Sequence, residues 1–130
     1  VSEGSIRDLV RRVKPLARVD SEIVGSVTKL LLDEFAGLIS VVEFRHGVPR
    51  GDHYHERRTE TLYIVAGNLF AHFVDVDTRV GWYMNICAGE MITVSPRVAH
   101  RYVAHEDSLA VEIVREVFEP DDVVLVNWFD

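Results

Sequence analysis

From about Val27 to Trp128 the chain is a succession of short runs rich in Val, Ile, Leu, Phe and Tyr, broken by Gly, Pro, Asn or Asp. Turn signals that recur every ten residues or so leave room for strands and none for long helices. The spacing predicts strands over Lys29–Phe35, Leu38–His46, His53–Arg57, Thr61–Val65, Asn68–Val76, Val80–Cys87, Met91–Val94, His100–His105, Leu109–Val114 and Val123–Trp128. So many short strands in 130 residues point to one all-β domain, a closed barrel or jelly roll that disposes of its sheet edges. Ahead of them, Ile6, Leu9, Val10 and Val13 recur at helical spacing between a capping Ser5 and a stop at Pro15. The expected organisation is a short helical extension over residues 1–26, packed on a barrel over 27–130.

Charge narrows the partners. With 21 acidic against 14 basic residues the net charge is -7, which disfavours a nucleic acid, whose backbone is bound by clustered Lys and Arg. Only Arg11 and Arg12 sit side by side near the start. Apolar runs such as Leu30–Leu32 fall far short of a membrane span, and no signal peptide is visible, so the expected address is cytoplasmic, with no membrane partner. A lone cysteine, Cys87, cannot form an intramolecular disulfide and reads as a buried, inert thiol on a strand.

Chemistry concentrates in Gly47–Gly67, GVPRGDHYHERRTETLYIVAG. On a strand, alternate side chains share a face, so His53 and His55 point the same way about 7 Å apart at Cα. Two imidazoles at that separation can meet one metal ion. Glu60 follows a short turn and begins the neighbouring antiparallel strand, which brings a carboxylate to the same place. The order and spacing of Gly47, His53, His55, Glu60 and Gly67 resemble the first sequence motif of the cupin superfamily. A second segment, Gly89–His100 (GEMITVSPRVAH), resembles the second cupin motif. It departs from the family inside, with Ser95 and Arg97 where proline and glycine are usual, and Ala104 where asparagine is common.

The resemblance implies a double-stranded β-helix in which His100 joins His53, His55 and Glu60 around one divalent transition metal. Three imidazoles and one carboxylate suit zinc, iron, manganese or nickel, and leave coordination positions open for a substrate, water or dioxygen. Strand alternation makes Tyr102 a face-mate of His100 and leaves the facing of His72 undecided, so both stand as candidate catalytic residues. Leu62 and Ile64 share the face of Glu60 and should wall the pocket. Arg50, ahead of His53, is a candidate to bind an anionic group on a ligand. His46 and His105 read as structural or surface residues.

Within the superfamily, Pro49–Glu60 with its Arg50, Gly51 and His53 is similar to the sugar-nucleotide cupins, and Arg115–Asp122 has a similar flavour. That likeness implies a metal-dependent isomerase or epimerase acting on a small polar or anionic keto-sugar or sugar nucleotide. An iron-dependent dioxygenase, and a non-catalytic cupin that binds a small ligand or metal, fit the same residues. Exposed edge strands lead us to expect at least a homodimer.

Overall fold

The computed structural model describes residues 17–33, 37–116 and 120–129. The helix expected over Ser5–Lys14 lies outside these. Among the described residues eleven strands follow one another: β1 (Ala17–Val19), β2 (Val27–Asp33), β3 (Gly37–Phe44), β4 (Arg50–His55), β5 (Glu60–Ala66), β6 (Asn68–Asp75), β7 (Gly81–Cys87), β8 (Met91–Val94), β9 (Val98–Ala104), β10 (Ser108–Val114) and β11 (Val123–Leu125). Among the described residues the only helical piece is a 3-10 turn at Pro120–Asp122. Residues 17–19, placed by sequence in the helical extension, instead form a strand paired with β2.

The strands make two antiparallel sheets, one ordered β1-β2-β3-β10-β5-β8 and the other β11-β4-β9-β6-β7. Alternation decides what fills the space between them. Val42 and Phe44 from β3, Leu62 and Ile64 from β5, Leu69, Ala71 and Phe73 from β6, and Tyr102 and Ala104 from β9 form one buried cluster. Each of these strands contributes every second residue, the period of a half-buried strand.

The β7 edge differs. Trp82, Tyr83 and Met84 are all exposed, on both faces of the strand. Cys87 is exposed as well, against the buried position expected for it, because an edge strand has a neighbour on one side only. No helix among the described residues is long and apolar enough to cross a membrane.

One irregularity matters for the site. Pairing of β4 with β9 runs Arg50↔Tyr102 and Gly51↔Arg101, then jumps to His53↔His100, which leaves Asp52 as the extra residue of a β-bulge. Gly51 (φ 120) and Asp52 (φ 57) both lie at positive φ. A Cβ on Gly51 would stand 2.6 Å from the His100 carbonyl oxygen, so only glycine lets the two strands approach there. Opposite residues of an antiparallel pair share a face. The bulge therefore turns both Arg50 and His53 inward, although regular alternation would send them to opposite faces.

Candidate metal centre

His53 and His55 come from β4, Glu60 opens β5 after the 56–59 turn, and His100 lies on β9 directly across from His53. One ligand atom from each of the four lies within 4.8 Å of the others. Ligands about 2.1 Å from one ion can stand at most about 4.2 Å apart, so a contraction of about half an ångström would seat an ion. The ring centroids of His53 lie 5.0 Å from those of His55 and 4.7 Å from those of His100.

The site has the polarity of a metal cradle. His55 Nε2 approaches Glu60 Oε1 to 2.6 Å, yet both atoms are buried without a partner in hydrogen-bond geometry. Buried polar atoms left unpaired are costly, and lone pairs converging on a common point are what a cation relieves. His100 Nδ1 lies 3.1 Å from the Val98 carbonyl oxygen, an acceptor that favours the tautomer with Nε2 free to ligate. Burial, then neighbouring His100 and His55, pull the His53 pKa down to about 4, and burial pulls His100 down too. Both rings are neutral near pH 7, the form a metal requires. Burial alone would raise the Glu60 carboxyl, but contacts with His55 and Glu112 hold it well below the usual carboxylate range.

Beside the ligands lies a cavity of about 180 Å³. Arg50 and Tyr102 line it. Leu62 walls it with Val27, Val42 and Phe44, whereas Ile64, expected beside it, is buried in the core cluster instead. Arg50 Nη1 donates to the carbonyls of Val24 at 3.1 Å and Glu43 at 3.4 Å, which ties the 20–26 loop to the cavity. Burial, then Glu60 and Glu112, push the Tyr102 phenol well above its usual range, so it stays protonated.

His72 is not part of this site. It pairs with Arg101 across β6 and β9, while its neighbour Phe73 pairs with His100, so His72 faces outward. There it stacks on Tyr83 with ring centroids 4.2 Å apart, which removes it as a candidate base. His105 is also outside, 3.3 Å from Asn85 Oδ1, and His46 is exposed.

Sequence reasoning missed three residues. Glu112 lines the cavity from β10, and burial, then Glu60, push its carboxyl well above the usual range, so it is a neutral acid beside an ionised one. Its signal was readable, since it shares the inward register of Ala110 and Val114. Arg58 lies in a turn, with Nη2 3.6 Å from Glu60 Oε2 and 3.9 Å from Glu112 Oε1. Asp122 sits behind His55, and the sequence marked it only as the end of the Arg115–Asp122 run, with no role at the site. The unusual Arg97 occupies a left-handed position (φ 61) where the family resemblance leads us to expect glycine. Its guanidinium pairs with Asp77 at 2.7 Å and Glu56 at 2.8 Å, contacts a glycine could not make.

No family model and no curated protein matches the chain. Solved structures do. The capsular polysaccharide assembling protein CapF from Staphylococcus aureus is similar over 88% of this chain and 33% of its own, at 21% identity and a TM-score of 0.79. A formate complex of Lactobacillus farciminis oxalate decarboxylase is similar over 85% of this chain and 33% of its own, at 18% identity and a TM-score of 0.69. KdgF from Halomonas sp. is similar over 74% of this chain and 81% of its own, at 20% identity and a TM-score of 0.60. The chain thus spans about a third of the length of the first two. These likenesses, with the two facing sheets, establish the cupin fold. Within it, the chain carries a His, His, Glu, His cluster suited to a divalent metal.

Proposed function

We propose that this chain is a metal-dependent cupin enzyme that binds a small anionic carbonyl compound, an oxo-acid or a single keto-sugar unit, and catalyses isomerisation or epimerisation next to the carbonyl. The observation that carries this reading is the cavity that His53, Glu60 and His100 of the cluster share with Arg50, Arg58, Tyr102 and Glu112. A divalent ion held by His53, His55, Glu60 and His100 supplies Lewis acidity toward a carbonyl oxygen. Arg50 and Arg58 supply fixed positive charge for a carboxylate or phosphate. Tyr102 and Glu112 line the cavity outside the ligand set and would serve as its acid–base groups, Tyr102 as the proton donor. Apolar walls exclude bulk water.

Size sharpens the substrate class. Drug-sized ligands fill roughly 300–1,000 Å³. A cavity of about 180 Å³ encloses far less, so a nucleotide portion of any substrate would lie outside it. The structural likeness to an oxalate decarboxylase supports a small acid. A second reading, an iron-dependent dioxygenase, is favoured by the same ligands and the apolar walls. Elemental analysis of protein purified without added metal, followed by solvent-deuterium exchange into small oxo-acids, separates them. Zinc or manganese with exchange at the carbon next to the carbonyl supports the isomerase. Iron with oxygen uptake and no exchange would replace it with the dioxygenase, and a metal-free, inactive protein would leave a binding module.

A further inference from the structure

The imidazole of His55 is held between two carboxylates. On one side Nε2 faces Glu60 Oε1, and on the other Nδ1 faces Asp122 Oδ2 at 3.6 Å. His55 and Asp122 are both 4% exposed, so this second contact is made away from water. At that distance it is an electrostatic contact rather than a hydrogen bond.

Asp122 is itself firmly placed. Its Oδ1 accepts the Arg57 backbone N–H at 2.7 Å, and its carbonyl accepts the Glu56 N–H at 3.0 Å. The next residue, Val123, opens β11 in register with His55 on β4. The turn after the ligand strand thus wraps the Asp122 carboxylate, and β11 locks the 3-10 turn that carries it. A buried aspartate fastened by two backbone bonds has one oxygen left over, and that oxygen points at a metal-ligand ring.

A neutral imidazole carries one proton. For Nε2 to offer a lone pair to the cavity, that proton must sit on Nδ1, where a negative oxygen stabilises it. We infer that Asp122 is a positioning residue that fixes His55 in the tautomer presenting Nε2 to the cavity and thereby sets the affinity of the site for metal. Val98 does the same for His100 through a backbone carbonyl. This inference rests on the metal-binding reading above.

The test uses the full chain, stripped of metal. Zinc is titrated in competition with a chromophoric chelator, and cobalt is added separately to read its visible bands. Asp122→Asn keeps an oxygen for the Arg57 N–H but removes the charge that faces His55. Zinc affinity should fall about 10- to 100-fold. The cobalt bands should shift, while the melting temperature of the metal-free protein stays within about 3 °C of wild type. Affinity within twofold of wild type, with unchanged cobalt bands, would overturn the inference and leave Asp122 a structural cap. Nitrogen-15 NMR of the zinc-loaded wild type gives a check that needs no variant, since the inference requires a proton on His55 Nδ1. Zinc found on Nδ1 would overturn it equally. Wild-type protein that takes up neither zinc nor cobalt would instead bring down the metal reading and this inference with it.

Discussion

The two faces of the β11-β4-β9-β6-β7 sheet carry similar side chains and opposite chemistry. Inside, His53, His55 and His100 converge with a buried carboxylate on a common point. Outside, His72 stacks on Tyr83 and meets Phe129 edge-on, Tyr54 stacks on Trp128, and Arg101 closes a bidentate pair with Asp52. The outer histidine meets rings and a cation; the inner ones meet each other and a carboxylate. Residue type is nearly the same on both faces, so strand parity decides which histidines join the cluster that could hold a metal. Parity on β4 depends in turn on the bulge at Gly51 and Asp52.

The widest separation between the faces should appear in metal content. A His53→Ala, His55→Ala double variant that remains folded should fall from about one equivalent of metal to near zero, because two ligands cannot hold a borderline ion against water. His72→Ala should keep the full equivalent. Metal lost from the His72 variant, or retained at the same site in the double variant, would break the comparison. Elemental analysis of both proteins reads the result.

Acid should also act mainly on the inner face. Burial holds His53 down to about 4, so between about pH 6.5 and 4 the unfolded chain binds a proton there that the folded chain does not. Stability of the metal-free protein therefore rises with pH across that window and is lost as pH falls through it. His53 alone contributes at most about 3 kcal/mol of this. Denaturant melts at pH 7 and 4.5 should show the loss in wild type and a smaller one in His53→Gln. Equal losses would show that the ring is not the source.

The bulge offers a direct attack on parity. Gly51→Ala places a methyl against the His100 carbonyl at a positive φ, with an expected cost of about 2 kcal/mol or more in chemical denaturation. Zinc affinity should fall as well, since His53 and His100 lose their pairing. Unchanged stability and affinity would mean that the bulge does not aim the ligands.

The smallest effect belongs to Arg50. In metal-loaded protein, Arg50→Ala should weaken binding of a small oxo-acid such as pyruvate about tenfold, or about 1.4 kcal/mol, with metal retained. Calorimetric titration measures it. Unchanged affinity would reduce Arg50 to the clamp it forms on the Val24 and Glu43 carbonyls.

Much of this molecule could be read from its residues. Strand positions from β3 to β10 follow the alternation, except that β4 runs Arg50–His55 where His53–Arg57 was expected, and Leu62 and Ile64 face inward with Glu60 as parity requires. The first three residues of the cluster were legible because two alternate histidines and a carboxylate after a tight turn are local features, fixed by strand geometry. The fourth, His100, was legible only through its motif, since its nearness to His53 is a cross-strand contact 47 residues away in sequence.

Other features waited on the tertiary structure. Inward placement of both Arg50 and His53 needs a bulge that alternation does not foresee, and it arises from the approach of β9 to Gly51. His72 was left undecided because its facing follows from its pairing with Arg101, not from its own neighbours. The inward facing of Glu112 follows from alternation, but the upward push on its carboxyl comes from burial beside Glu60, against the opposing pull of Arg58. Asp122 reaches His55 only because β11 returns to pair with β4. The sequence by itself determined the strands and most of the ligands, because those depend on local periodicity. The charged lining of the cavity and the support behind the ligands were decided by the tertiary structure, because the energy of a buried charge depends on groups brought to it from distant parts of the chain.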